Sequence, residues 1–289
     1  MAAPTALVCG HATLDRIDGA LVPGGSVTYA AGTLAALGAD VRVLTAAAAD
    51  FPREALATAS HPGTIAALVL PAAATTAFEN AYASDGRRSQ RVLAAAPPLD
   101  LARLPADWRA VDLLLVAPVL GELDPGQLVA AVRAPVVGLA VQGLVRTVGE
   151  GGAVSPRRWE PDRRALAGVT AAFLGEDEAS AQPDLLGRLA AAVPIVVFTR
   201  AARGCELLVD GRQRRVGVHP ARLRDPTGAG DAFAAAFLLA LAEGRGPVDA
   251  ARLGAAAASI VIEGRGGEAL PRVGEARERA ARVPVGSAE

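Results

Sequence analysis

Asp225-Pro226-Thr227-Gly228-Ala229-Gly230-Asp231 leads without a break into Ala232-Phe233-Ala234-Ala235-Ala236-Phe237-Leu238-Leu239-Ala240-Leu241. The second half predicts a helix. Phe233, Phe237 and Leu241 recur at helical spacing on one face, and Glu243-Gly244 supplies an end. The first half is a glycine-rich loop feeding that helix. Gly228 and Gly230 permit close backbone approach and unusual φ. Free N–H groups of the first turn and the helix dipole then converge on one spot, which suits an anion. Asp231 stands beside that spot. An acid at a helix start is common, and alone it would mean only a cap. The chemical reading is stronger: the N–H groups hold a transferring phosphoryl group while Asp231 takes the proton of an attacking hydroxyl. Phosphoryl transfer asks mainly for positioning and charge stabilisation, so it needs few side chains.

Upstream of this segment, strand-like and helix-like stretches alternate. Apolar runs at 6–10, 65–70, 111–116, Val136–Ala140, Ala171–Leu174 and 195–198 suit strands buried on both faces, and 41–45 reads as a further strand. Helical stretches lie at 28–37, closed by Gly38, and at 124–132, Glu176–Ala181 and 183–192. This pattern predicts an α/β fold with a mostly parallel central sheet between helices, organised as a single domain over 1–289. Two stretches break the alternation. Residues 13–22 carry Asp15, Arg16 and Asp18 among apolar positions; residues 75–93 carry Phe78, Glu79, Asn80, Tyr82, Arg87, Arg88, Gln90 and Arg91. Both read as partly exposed strands of a small β-lid. Residues 149–158 read as an interior loop.

Composition narrows the chemistry. The chain has 289 residues, 52% of them hydrophobic, with a formal charge of −1. That balance gives no bulk attraction to nucleic acid or to an anionic membrane. Its apolar runs stop short of the ~18–20 residues of a membrane span. No basic stretch precedes an apolar one at the start, so no secretory signal is expected. All 29 Lys+Arg residues are arginine. Without lysine, the Walker A clamp, the protein-kinase strand lysine and Schiff-base chemistry are excluded. Cys9 and Cys205 are far apart, and His11, His61 and His219 have no metal-ligand spacing. Two isolated thiols suit a reducing cytoplasm, where the protein is expected to reside.

Residues 225–233 resemble the C-terminal signature of the ribokinase family, also called the pfkB carbohydrate kinases. Other segments agree in order. Gly24-Gly25 leads into Tyr29-Ala30-Ala31 and Leu37-Gly38, as in the family's N-terminal di-glycine region. Thr199-Arg200-Ala201-Ala202-Arg203-Gly204-Cys205 is similar to its nucleotide-side loop, and Arg265-Gly266-Gly267 lies where a loop near the base is expected. The similarity spans residues 8–267.

The resemblance implies a ribokinase-like sheet with a β-lid, and a kinase that moves the γ-phosphoryl group of ATP to a hydroxyl of a small sugar, cyclitol or nucleoside. Asp231 would be the catalytic base, with Gly228, Ala229 and Gly230 as the anion hole. Gly24 and Gly25 would form the lid hinge and acceptor floor, and Asp15 would bind acceptor hydroxyls. Thr199, Gly204 and Thr227 would bind nucleotide. Glu178 would serve Mg²⁺, and Asp225 with Thr227 would frame a monovalent cation. The family also allows a homodimer through the lid. Three positions depart from the pattern: Tyr29 replaces an acceptor-binding asparagine, Gly175 replaces the first residue of Asn-x-x-Glu, and Ala201 replaces a glycine. Gly175 and Ala201 leave open a non-catalytic member that binds nucleotide and sugar without turnover, while Tyr29 is expected to bind the acceptor and shape its pocket for a compact, hydroxyl-rich ring. Ala117-Pro118-Val119-Leu120-Gly121-Glu122 and Gln142-Gly143-Leu144-Val145-Arg146 each follow an apolar strand. Strand ends open onto the ligand crevice in such sheets. Gln142 and Arg146 are therefore expected at the acceptor, with Glu122 either there or capping its loop. Together with Tyr29 these motifs resemble a branch that includes myo-inositol kinases. His11 is equally suited to the acceptor or to a satisfied internal position.

Overall fold

Apolar runs without alternation become strands sealed on both faces. The structure, a computed structural model, describes residues 2–17, 19–57, 62–82 and 88–286. Asp18, His61 and Arg87 lie outside the described residues. Along the chain run β1 (Thr5–Cys9), β2 (Thr13–Ile17), β3 (Ala20–Gly24), α1 (Ser26–Ala36), β4 (Asp40–Ala47), β5 (Thr64–Pro71), β6 (Thr76–Tyr82) and β7 (Arg88–Ala94). Then come β8 (Leu113–Val116), α2 (Pro125–Ala131), β9 (Val136–Ala140), β10 (Arg146–Val148), β11 (Val154–Pro156), β12 (Ala171–Leu174), α3 (Glu176–Ala181) and α4 (Leu185–Ala192). The chain continues through β13 (Ile195–Thr199), β14 (Cys205–Val209), β15 (Arg212–Val216), α5 (Ala229–Ala242), α6 (Pro247–Val261), α7 (Ala276–Ala280) and β16 (Val285–Gly286).

Among the described residues, ten strands pair in the order β16-β15-β14-β13-β12-β9-β8-β1-β4-β5. From β13 to β5 every neighbour is parallel. β14, β15 and β16 extend the sheet antiparallel. Successive side chains of a strand point to opposite faces, and β1 shows this directly. Ala6 and Val8 join α1, α5 and α6 in one core, while Leu7 and Cys9 join Leu128 of α2 and Leu185 and Leu189 of α4 in the other.

Two expectations need correction. The run 65–70 was expected to be buried on both faces, yet in β5 only Leu70 is buried. β5 ends the sheet and has a partner on one side only. An apolar run by itself does not distinguish a central strand from an edge strand. The interior loop at 149–158 contains β11, which pairs antiparallel with β10. Strands of three residues flanked by glycine carry too little periodicity to be read.

The second sheet has the order β3-β2-β6-β7. Residues 13–22 supply two of its strands, since Ile17 of β2 pairs with Ala20 of β3 in a hairpin. β6 and β7 form a second hairpin, and β2 joins the two by parallel pairing that sets Asp15 opposite Phe78. Phe78 is buried. The β10–β11 hairpin is tied to this sheet. Arg91 of β7 donates from Nε to the Gly151 carbonyl at 2.5 Å and forms an isolated bridge with Ala153.

In a parallel sheet the C-terminal strand ends share one edge. Here β1 hands over to Gly10, His11 and the small sheet, β8 to 117–122, and β9 to Gln142 and Arg146. β12 hands over to Gly175 and Glu178, and β13 to the loop at 200–204. The sequence motifs therefore gather on one edge although they are far apart in the chain.

Candidate functional site

Two helix starts meet at that edge. α1 begins after Gly25 at φ +87, and α5 begins after Gly228 at φ +79. The two helices pack against each other. Tyr29, in the first turn of α1, lies 2% exposed against the start of α5. A Cβ added to Gly228 would stand 2.1 Å from Tyr29 Cδ1. The ring therefore floors the glycine loop, and only glycine fits above it. On the other side a Cβ on Gly230 would meet nothing within 4 Å, so the loop is open there.

Asp231 follows in the first turn of α5. Its carboxylate is hydrogen-bonded by the Ser26 hydroxyl and faces the charges of Arg146, Asp15 and Glu178. Burial raises its pKa to about 6, with Asp15 and Glu178 pushing the same way and Ser26 and Arg146 opposing. A carboxylate poised near neutrality suits a general base. Ser26 was not singled out by sequence reasoning. The signal was there, because the residue after the Gly24-Gly25 pair opens a helix aimed at the other helix start.

Asp15 is 8% exposed and accepts from Thr13 Oγ1 at 3.1 Å. A Cβ on Gly24 would lie 2.5 Å from Asp15 Oδ2, so the di-glycine backbone and this carboxylate touch. Burial first, and then the charges of Asp225, Asp15 and Asp231, push the Tyr29 hydroxyl well above its usual range. Tyr29 thus lies among the three aspartates. Asp225 tethers the loop itself. Its Oδ1 accepts the Thr227 N–H at 2.9 Å and its Oδ2 the Gly266 N–H at 3.0 Å.

Glu178 Oε2 accepts the Gly175 N–H at 2.8 Å, capping α3, and a Cβ on Gly175 would lie 3.5 Å from Thr199 Oγ1. Thr199 Oγ1 in turn donates to the Leu174 carbonyl at 3.2 Å. Glu176 is drawn away to Arg203 and, at 3.6 Å, Arg200. That leaves Asp177 and Glu178 beside a cavity of about 310 Å³, which Arg146, Ser89, Gln90 and Ser155 also line. Gly204 holds φ +81 close under the Val216 carbonyl. No described contact joins Gln142 to Asp15 or Asp231.

Two side chains resolve into structural roles. His11 is buried, with Nε2 2.9 Å from the Pro97 carbonyl and Nδ1 2.9 Å from Thr76 Oγ1. The Glu122 carboxylate accepts the N–H groups of His11, Val119 and Leu120 at 2.8–3.0 Å. It locks the loop after β8 to the end of β1.

Ala201 adopts φ +47, a left-handed conformation that costs a residue with a Cβ about 1–2 kcal/mol. Replacing it with glycine relieves that strain but adds entropy to the unfolded chain. Ala201→Gly is expected to raise stability by about 0.5–1 kcal/mol in urea unfolding. An unchanged midpoint would show that the strain is absorbed elsewhere.

Comparison with known proteins gives the family and the fold. Residues 152–272 match the model of the pfkB family carbohydrate kinases. The inositol 3-kinase of Oryza sativa subsp. japonica is 34% identical over 246 residues, covering 80% of this chain and 60% of its own length. This chain therefore spans about 60% of that relative. The cytidine kinase of Thermococcus kodakarensis is 28% identical over 279 residues, covering 89% of this chain and 95% of its own. A pyrophosphate-dependent kinase in the ribokinase family, solved with a pyrophosphate analogue and myo-inositol, superposes with a TM-score of 0.73 at 22% identity. That match covers 94% of this chain and 99% of the other.

Proposed function

The chain carries a pfkB family domain homologous to inositol kinase, and from that premise we propose that it phosphorylates one hydroxyl of a small polyol, with ATP as donor. The observation that carries this reading is the meeting of Asp231, Ser26 and Asp15 where α1 and α5 begin. The acceptor sits against Asp15 and the Gly24-Gly25 backbone. Its attacking hydroxyl points at Asp231, which takes the proton. The N–H groups of Gly228, Ala229 and Gly230 stabilise charge on the transferring phosphoryl group. A neutral cyclitol or sugar fits better than a sugar phosphate. Arg91 of the small sheet is turned to the β10–β11 hairpin by its Nε bond to the Gly151 carbonyl, which favours the neutral acceptor.

For the donor, Thr227 and the loop at 199–204 lie on the nucleotide side. Leu223, 64% exposed on the segment entering the glycine loop, offers apolar surface of the kind a nucleobase covers. Among the described residues no group of three or more His, Cys, Asp or Glu could hold a metal by itself. Mg²⁺ is commonly held by one or two carboxylates, with waters and substrate phosphates completing its shell. Glu178, with Asp177 beside it, fits that mode. The ion would neutralise phosphate charge there. Glu178→Gln keeps an oxygen for the Gly175 N–H, so folding should survive. It is expected to raise the Mg²⁺ concentration for half-maximal activity several-fold, with nearly full turnover at saturation. An unchanged magnesium titration would move the role to Asp177.

The deciding experiment is an initial-rate panel of myo-inositol, ribose, fructose, cytidine, adenosine and fructose 6-phosphate, each with ATP and with pyrophosphate. Preference for myo-inositol or a neutral sugar with ATP supports the reading. Preference for pyrophosphate replaces the donor and leaves the site chemistry intact. Preference for fructose 6-phosphate overturns the acceptor assignment. Tight nucleotide binding with no turnover of any pair establishes a non-catalytic binding protein.

A further inference from the structure

We propose that the protein binds a nucleotide at a second place, a cavity on the sheet edge opposite the glycine loop, with phosphate held by Arg212 and Arg214. This stands independently of the kinase reading. The cavity measures about 470 Å³ and opens between β14, β15 and the start of α6. Small-molecule and cofactor sites occupy roughly 300–1,000 Å³. β14 runs antiparallel to β13, so its end and the turn into β15 lie on the edge away from the crevice. α6 spans the separation. It starts at Pro247, beside the cavity, and ends where the Ile262 carbonyl accepts the Arg224 and Asp225 N–H groups at 2.8 and 3.3 Å. Its 15 residues set the two places roughly 20 Å apart.

The lining matches the parts of a nucleotide. Leu207, Val209, Pro247 and Val248 make an apolar floor for a flat base. Across the ladder Leu207 opposes Arg214 and Val209 opposes Arg212, and directly opposed residues share a face of the sheet. Both arginine side chains therefore rise from the side that carries the floor. Two positions apart on one strand, their Cα atoms lie about 7 Å from each other, and their like charges repel. Charges nearby are already matched, Asp249 with Arg252 at 3.6 Å and Glu243 with Arg245 at 3.3 Å. Among the described residues, neither Arg212 nor Arg214 makes an ion pair or a side-chain hydrogen bond. A phosphate dianion relieves their repulsion, and each guanidinium can fork onto two of its oxygens. Asp210 completes the lining. It holds φ +49 and Gly211 holds φ +72, the two left-handed residues of a tight hairpin turn, so its place is fixed. A carboxylate there accepts from ribose hydroxyls, as acids beside bound dinucleotides do. Floor, carboxylate and arginine pair correspond to base, ribose and phosphate.

Methyl NMR of protein labelled at leucine and valine, titrated separately with ADP, adenosine and inorganic phosphate, tests this. ADP should shift Leu207, Val209 and Val248 saturably. Adenosine and inorganic phosphate should each bind there at least about tenfold more weakly, since each leaves charged or apolar groups unmatched. Arg212→Gln combined with Arg214→Gln should weaken ADP at these methyls by at least about tenfold. Both positions are exposed, so urea unfolding should show little change. Turnover of the best donor and acceptor pair should also be unchanged in that variant. No ADP response at the three methyls overturns the proposal, as does a response that the glutamine pair leaves intact. Inorganic phosphate binding as tightly as ADP overturns the nucleotide and leaves an anion contact alone. A wild type that turns over no pair refutes the kinase reading, and the three methyls still decide this cavity.

Discussion

Asp231→Asn is expected to lower kcat by about 10²–10⁴, the range that a positioned general base supplies, with donor affinity nearly unchanged. The asparagine keeps the shape of the side chain and can still receive the Ser26 hydroxyl, but it cannot take the acceptor's proton. The pH profile gives the second readout. With a pKa near 6, the wild-type base is protonated and inactive below that value. Activity should therefore rise through pH 6 and level off above it, and in the variant that limb should disappear. Stability should move the other way. A carboxylate whose folded pKa is raised contributes stability that is present below its unfolded value, near 3.9, and is lost as pH rises through the folded value. At pH 7.5 the wild type bears the full cost of holding this charge in its buried setting. Asp231→Asn should then melt at a higher temperature than wild type at pH 7.5 and lose that advantage near pH 4. A variant that turns over like wild type would remove Asp231 from the base role. A variant that melts lower at pH 7.5 would show that its charge is stabilising, against the burial argument.

What the sequence disclosed followed from strong local signals. The apolar runs of β1, β8, β9, β12 and β13 are short, continuous and bounded, so the parallel sheet was readable without tertiary knowledge. The loop at 225–231 announced itself because glycine spacing, an acid and an apolar helix coincide. Weaker elements escaped. β10 and β11 have three residues each, and their stability comes from the strap to β7, which is a tertiary fact. The burial of Tyr29 was also hidden. A tyrosine in place of an asparagine reads as an acceptor contact until the packing of α1 on α5 sets its ring beneath Gly228. His11 and Glu122 behave alike. Each sits at a strand end that opens on the crevice, and each is consumed by partners that only the fold brings near. Proximity to the edge was legible, whereas the direction of each side chain was not.

The Tyr29–Gly228 contact yields the second large effect. Gly228→Ala introduces a Cβ at φ +79 and 2.1 Å from the Tyr29 ring. The left-handed backbone costs an alanine about 1–2 kcal/mol, and overpacking a buried ring adds roughly 1–3 kcal/mol. The ring has nowhere to withdraw, because Tyr29 is enclosed by α1, α5 and the three aspartates. Relief must come from the first turn of α5 lifting away, and that turn carries the N–H groups and Asp231. Destabilisation of about 2–5 kcal/mol in urea unfolding is therefore expected. Where the protein still folds, kcat should fall by at least about 10² as the base and the N–H groups lose register. A double-mutant cycle separates the two costs. In a Tyr29→Ala background the three ring atoms nearest the added Cβ are gone, so the backbone strain is the main cost left. Gly228→Ala should then cost about 1–2 kcal/mol, leaving a coupling of at least about 1 kcal/mol between the two positions. Strict additivity would mean that the ring yields freely and that Gly228 serves backbone conformation alone. A recovered kcat in the double variant, with the glycine loop otherwise intact, would tie the ring to the placement of the loop and not to acceptor binding.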